Sequence, residues 1–320
     1  MNIIAGDIGG TKSWLIWFAQ SPHLSPKILF EQQYDSAQFA DAATLLRRFM
    51  ADAGRTAPSD LLCLALPGPL EQRRVVLTNL DWVVDADLLG SDLGIPEVRF
   101  VNDFQAAAAG IETLHKADYV ILNPGLLRLG ATRVITGAGT GLGVAWMQVD
   151  ADGNYQTFAS EGGHIDFAPM NQQQCDLLRW LQQRHTHVSW ERVLSGAGLE
   201  ALYEFSYWVA TGQITPATPS AAQIDTRARL NNPLELAAVR LFVDVYAAWI
   251  GNLILLYQPR GGLYIAGGMA IHLQAWLKDE HFMQVAFDKG RMMGLVQSAP
   301  VYLVTNPRLG VQGAMRIASS

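Results

Sequence analysis

The chain has 320 residues, half of them hydrophobic, and a formal net charge of −6. That length exceeds one compact core of ordinary size and suits two packed lobes. The mild acidity offers no electrostatic footprint for nucleic acid or for an anionic membrane, so a phosphorylated ligand would be met by backbone donors, a metal ion and a few placed cations. The only two cysteines, Cys63 and Cys175, are far apart, have no zinc spacing and make no disulfide framework, which fits a reducing compartment. The start, Met1 to Asp7, lacks the basic region and long apolar run of a signal peptide, so a cytoplasmic protein is expected.

In chain order, Asn2 to Ile8 reads as a buried strand, Gly9-Gly10-Thr11 as a tight turn, and Ser13 to Phe18 as the return strand. Ile28 to Tyr34 is a third strand. Phe39, Ala42, Leu46, Phe49 and Met50 recur at helical spacing, with Gly54 placed to end the helix. Strands follow at Leu61 to Leu66, Arg74 to Thr78 and Val98 to Val101, then a helix from about Phe104 to His115. The pattern restarts near Tyr119: a strand over Ala131 to Thr136, a glycine turn over Gly137 to Gly143, and a return strand over Val144 to Val149. Trp14 and Trp146 sit in the two return strands, so the halves read as an internal duplication, each with its own hairpin. After Asn171 the chain is mostly helical, with a Pro/Thr/Ala-rich loop at Thr211 to Ser220. Val245 to Pro259 is too short and too interrupted for a bilayer and reads as a core helix. A strand at Leu263 to Ala266, the pair Gly267-Gly268, a strand at Val301 to Thr305 and a helix from Gly310 complete the chain.

Four glycine turns stand out: Gly9-Gly10-Thr11, Gly137 to Gly143, Ser195-Gly196-Ala197-Gly198 and Gly267-Gly268. Glycine lets backbone N–H groups converge on an anion, although one such turn alone is more often structural. The common nucleotide loops fail on spacing. Thr11 stands where a P-loop needs its second glycine, and the last glycine of Gly137 to Gly143 is one residue late for a dinucleotide fingerprint. The Asp-Phe-Gly and His-Arg-Asp signatures of protein kinases are missing.

A second group of residues is polar. Asn102-Asp103 follows an apolar strand and opens a helix, where Asp103 could serve simply as a cap. In Glu161-Gly162-Gly163-His164 two glycines let a carboxylate and an imidazole point into one space. Glu191 alone would be a solvated helix face. Acceptors from Glu, and both functions from His and Asn, suit a ligand with several hydroxyls.

The strand, Asp, Gly-Gly-Thr hairpin and its second copy resemble the phosphate motifs of the actin, heat-shock-protein and sugar-kinase superfamily. Val101-Asn102-Asp103-Phe104, Thr136 to Gly143, Glu161 to Pro169 and Glu191 to Gly196 further resemble the bacterial ATP-dependent glucokinases, from Gly6 through Gly268. The resemblance implies an α/β, two-lobed actin-like or ribonuclease H-like fold with ATP and sugar in the interlobe cleft. It implies a small lobe of residues 1–112 plus 303–320 and a large lobe of 113–302. Gly9, Gly10 and Thr11 would meet the outer phosphates, and Gly137, Gly139, Thr140 and Gly141 the inner ones. Ser195, Gly196, Gly267 and Gly268 would line the nucleoside side, and Asp7 would hold Mg²⁺ through water. Asn102, Asp103, Glu161, His164 and Glu191 would bind glucose, with Asp103 as the base that delivers its 6-hydroxyl to ATP. A homodimer is the family expectation. The related repressor/kinase group carries a cysteine-rich zinc motif that this chain lacks, so no structural zinc is expected. Lys12 replaces the Asn common in the family, and Leu66-Pro67-Gly68-Pro69 is an altered turn. Two alternatives stay open at this point: a kinase for another hexose or amino sugar, and a non-catalytic, sugar-responsive actin-fold protein.

Overall fold

A computed structural model describes residues 1–21, 24–54, 59–68, 73–77 and 80–319. Thr78, the expected end of one strand, and Pro69 of the altered turn lie outside them. The chain divides into two compact units, one of Met1–Lys116, Thr157–Ala159 and Asn306–Ser320, the other of Ala117–Gln156 and Ser160–Thr305.

The first unit begins with strands β1 (Asn2–Ile8), β2 (Lys12–Ala19) and β3 (Lys27–Asp35), helix α1 (Ala42–Asp52), and strand β4 (Leu61–Leu66). It continues with the hairpin β5 (Arg74–Leu77) and β6 (Trp82–Asp85), helix α2 (Ala86–Leu93), strand β7 (Glu97–Asn102) and helix α3 (Asp103–Gly110). Its main sheet has the order β3-β2-β1-β4-β7, with β1, β4 and β7 parallel. Strand β1 is apolar almost throughout because both faces are covered. Ile4 and Ile8 join a core with Leu45, Phe49 and Leu89. Ile3 and Ala5 join another with Val311 and Ala314 from the end of the chain.

Three local readings change. Helix α1 starts at Asp41, whose carboxylate accepts the Thr44 N–H, so Phe39 lies outside the helix and packs edge-on against Tyr34. The pair β6 and α2 went unread. Asp85 caps α2 through the N–H groups of Asp87 and Leu88, and Gly94 ends it in the left-handed region at φ 65°. Helix α3 stops at Gly110 and passes into a 3₁₀ turn over Ile111–Thr113 instead of reaching His115.

The second unit contains β8 (Tyr119–Asn123), β9 (Arg133–Ala138), β10 (Leu142–Val149), the ends of β11 (Tyr155–Ser160), whose middle residues Thr157–Ala159 group with the first unit, α4 (Gln172–Gln182), α5 (Trp190–Val193), α6 (Gly196–Thr211), α7 (Ala221–Arg229) and α8 (Pro233–Tyr257). Then come β12 (Leu263–Ala266), α9 (Gly268–His272), α10 (Gln274–Leu277), α11 (Glu280–Phe287), α12 (Met293–Gln297) and β13 (Val301–Val304). The last helix, α13 (Leu309–Ala318), belongs to the first unit. The expected glycine turn over Gly137 to Gly143 is shorter than read, because β9 runs through Ala138 and β10 resumes at Leu142. Ser195 to Gly198 is the start of α6, with Ser195 as its cap, and not a free turn.

The sheet of this unit has the order β11-β10-β9-β12-β13-β8. Its first five strands repeat the order of the first sheet, an antiparallel triplet followed by parallel neighbours, which makes the duplication a structural fact. Helix α8 is long and apolar enough to cross a bilayer by composition, but 72% of its most apolar window is buried in the protein. It is the central core helix, supplying Phe242, Tyr246, Trp249 and Ile250, and it ends with Gln258 in the left-handed region just before Pro259.

Trp249 also ties this core to the β9–β10 hairpin. Its Nε1 donates to Thr136 Oγ1 at 3.0 Å, and that hydroxyl donates to the Gly143 carbonyl at 2.9 Å. Thr136→Val keeps the shape but strands a buried indole N–H and removes a donor from a part-buried carbonyl, so we expect a loss of about 1–3 kcal/mol, measured by chemical denaturation. A neutral result would show that this relay does not hold the hairpin.

Candidate active site

Ligands in open α/β sheets bind outside the carboxyl ends of the parallel strands. In the first unit Asp7, Ala65 and Val101 lie in register across β1, β4 and β7, so Asp7 and Asn102-Asp103 come out at the same edge of the sheet. Gly9 N–H donates to the Lys12 carbonyl at 3.0 Å and closes the first turn, while Thr11 and Lys12 are exposed at its tip. The turn is held from behind by Ser36, which the sequence reading missed. Ser36 Oγ donates to the Gly9 carbonyl at 2.7 Å and pairs with Ser13 Oγ at 2.9 Å, and its N–H donates to the Thr11 carbonyl. A lone serine 27 residues from the glycine it supports carries no sequence signal.

Asn102, not Asp103, caps α3. Its Oδ1 accepts from the N–H groups of Phe104 and Gln105 at 3.0 and 3.1 Å, and its Nδ2 points to the Gly68 carbonyl at 3.4 Å. Asp103 is the first residue of the helix and is half-buried, with Oδ1 accepting the Phe104 N–H at 2.8 Å. A carboxylate at that position is favoured by the helix dipole.

In the second unit Gly139 N–H donates to the Gly141 carbonyl at 2.8 Å, and Gly196 N–H donates to the Gly139 carbonyl at 2.9 Å. The start of α6 therefore lies against the second turn, and Thr140 is exposed at its tip. On the other side Gly137 pairs with Ala266 across β9 and β12, and Gly267 follows with φ 91°, its α-carbon against the Ala138 carbonyl. The residues expected around the inner phosphates and the nucleoside thus converge within this unit, with Gly268 opening α9.

The polar trio converges there too. The chain after β11 runs beside the chain before α5: Phe167 N–H donates to the Val188 carbonyl, Trp190 N–H to the Ile165 carbonyl, and Asp166 bridges Ser189. Ser189 caps α5, and the Trp190 ring is buried against Phe167 and Trp249, with ring centroids 5.3 Å apart in both pairs. This platform brings His164 Nε2 to 3.8 Å from Glu161 Oε2 and 3.9 Å from Glu191 Oε1. Glu161 and His164 are more than half exposed, which leaves their polar atoms available to a ligand. Glu191 Oε2 accepts the Leu142 N–H at 2.8 Å, a contact that no motif announced.

Two sheets that share one five-strand order, each with a glycine hairpin at the end of its central strand, define the two-lobed actin-like class of sugar kinases. The sequence profile of the glucokinase family matches residues 4–320. A glucokinase of Nostoc punctiforme is 36% identical over 99% of this chain and 98% of its own length. A solved glucokinase from an Antarctic psychrotroph superposes with a TM-score of 0.82 at 29% identity, covering 99% of this chain and 98% of that one. One from Balamuthia mandrillaris, in complex with glucose, gives a TM-score of 0.82 at 19% identity over 100% of this chain and 94% of that one, a likeness of fold. The chain belongs to the glucokinase family.

Asp7 has an unusual setting. Its carboxylate lies against Gly310 near the start of α13, so closely that any side chain at 310 would displace it. Burial pushes its pKa from the ordinary 3.8 up to about 6. The folded chain therefore holds this proton more tightly than the unfolded chain. The resulting stability is full below about pH 4 and is lost as pH rises through about 6. Asp7→Asn removes the buried charge. At about pH 7.5 we expect it to raise stability to chemical denaturation by up to roughly 3 kcal/mol, with no gain near pH 4. Equal stability of the two proteins at neutral pH would contradict this.

Proposed function

We infer that this chain transfers the terminal phosphoryl group of ATP to the 6-hydroxyl of glucose, giving glucose 6-phosphate and ADP, with Asp103 as the base. The activity follows from membership of the glucokinase family across the whole chain. The observation that carries the role of Asp103 is that Asn102 already caps α3. Asn102 meets the Gln105 N–H and shares the Phe104 N–H with Asp103 Oδ1, and Asp103 sits one residue on at the same strand edge as the first phosphate turn.

Phosphoryl transfer asks a protein mainly for positioning and charge stabilisation. Asp103 accepts the proton of the attacking hydroxyl from hydrogen-bond distance. Glu161, His164 and Glu191, with Asn102 Nδ2, fix the ring through its other hydroxyls. An epimer that leaves one of these groups unpaired is disfavoured by the cost of an unmet buried hydrogen bond. The two turns meet the phosphates, Gly9-Gly10-Thr11 the outer ones and Gly137 to Gly141 the inner ones, with Ser195, Gly196, Gly267 and Gly268 along the nucleoside.

Mg²⁺ fits Asp7. No group of three His, Cys, Asp or Glu side chains among the described residues forms a cage, and one carboxylate beside an open turn suits an ion that keeps most of its waters and takes ligands from phosphates. When bound, Mg²⁺ supplies charge neutralisation on the phosphates. The register position of Asp7, one residue before the end of its strand, is held in the second hairpin by Gly137, so the metal belongs to the first turn. The free cysteines fit a cytoplasmic enzyme, and a homodimer is the family expectation.

Asp103→Asn is expected to bind glucose with nearly unchanged affinity and to lose roughly 10²–10⁴-fold in kcat, read by calorimetry and a coupled assay. Near-normal turnover would remove Asp103 from the role. In a panel of glucose, mannose, fructose, galactose and N-acetylated sugars, tested with ATP, ADP and polyphosphate, glucose with ATP should give the highest kcat/KM. A different leading pair would overturn the substrate assignment.

A further inference from the structure

We propose that Glu191 is shared between the two substrates: its Oε1 faces the sugar while its Oε2 positions the inner phosphate turn, so nucleotide affinity depends on Glu191 even when no sugar is bound. The proposal rests on the reading of Glu191 as a sugar ligand and extends it to the nucleotide.

The geometry centres on one residue. Leu142 is the first residue of β10 after Gly139-Thr140-Gly141, and its N–H donates to Glu191 Oε2 at 2.8 Å. A hydrogen bond to an ionised carboxylate is roughly twice as strong as a neutral one. The carboxylate lies so close against Gly141 that a β-carbon there would collide with Oε2. The Leu142 carbonyl is met from the other side by the α-carbon of Gly163, with no space for a side chain between them. Thus Leu142, which pairs with Ala138 inside the hairpin, is held from outside it by Glu191 and Gly163, two members of the polar segments assigned to sugar.

Glu191 can serve as a brace because it is itself rigid. It sits on the one-turn helix α5, capped by Ser189, beside Trp190, which is 2% exposed and packed into the core against Trp249. Trp249 also holds the base of the same hairpin through Thr136. Hairpin and carboxylate therefore share one platform, and the remaining oxygen, Oε1, points toward His164 at 3.9 Å. A purely sugar-binding glutamate would have both oxygens open to the pocket. Here one is spent on the turn. By reciprocity, a ligand that engages Oε1 and shifts the carboxylate changes the turn, and a nucleotide in the turn changes the sugar affinity by the same factor.

The test measures ADP and non-hydrolysable ATP-analogue binding by calorimetry with no sugar present. Glu191→Ala removes the brace and should weaken that binding roughly 10- to 100-fold. Glu191→Gln retains a carbonyl oxygen for the Leu142 N–H. It should keep sugar-free nucleotide affinity within about threefold of wild type while its glucose affinity falls. Glu161→Ala, which touches no part of the turn, should lose glucose affinity alone. Unchanged sugar-free nucleotide binding in Glu191→Ala, or an equal loss in Glu191→Gln, would overturn the proposal. Should Glu191→Ala fail to fold, Gly163→Ala presses on the Leu142 carbonyl and leaves every polar side chain intact. It should weaken sugar-free nucleotide binding too, and no change there would count against the brace. Glucose binding is the separate readout: if Glu191→Ala binds nucleotide poorly but glucose normally, the sugar assignment of Glu191 fails while its positioning role stands.

Discussion

A buried parallel strand must end, and at its end the backbone has no neighbour to bond. Everything in the two units is arranged around that constraint. Strands β1 and β9 each leave a parallel interior and reverse within three residues, where a side chain at Gly9 or Gly141 would collide with its neighbours. Glycines make the reversal and leave exposed Thr11 and Thr140 at the tips. The turns then need support from outside themselves, and each copy finds a different one. The first leans on Ser36 and Ser13. The second leans on the cap of α6, on Glu191 and on the Trp249–Thr136 relay. The duplication preserved the turn and left each half to invent its own brace.

That difference carries the division of labour. The first hairpin keeps a carboxylate, Asp7, one residue before the strand end, and the second has Gly137 there. The carboxylate puts a charge at the first turn. The glycine instead lets the end of β12 come close enough to bring Gly267 against the turn. One half is chemically charged and the other is shaped.

Much of this was legible in the sequence, where the physics is local. β1, β4 and β12 were read to the residue because apolar runs buried on both faces are bounded sharply by glycine or polar residues. The duplication showed in the paired glycine turns and their tryptophans. Short elements escaped: β6 and α2 span twelve residues between them, too few for periodicity to declare itself, although Asp85 and Gly94 marked the ends of α2. Asp103 was weighed as a cap because Asn and Asp are both good caps, and only the hydrogen bonds of Asn102 separated them. Ser36, Trp249 and the Leu142 N–H were invisible for one reason. Each acts through a contact between distant parts of the chain, and a single sequence does not record distance.

The last helix has a consequence for how such a chain becomes an enzyme. Asp7 is synthesised long before Gly310, against which its carboxylate lies, and before Arg308, which pairs with Glu31 and reaches over the Trp14 ring. Contacts this remote in sequence form late. A nascent chain can complete the second unit, with its own glycine hairpin and polar trio, while the first unit still lacks the helix that packs against its carboxylate. Synthesis through α13 is thus the step that finishes the first unit, and loss of that helix is felt at β1.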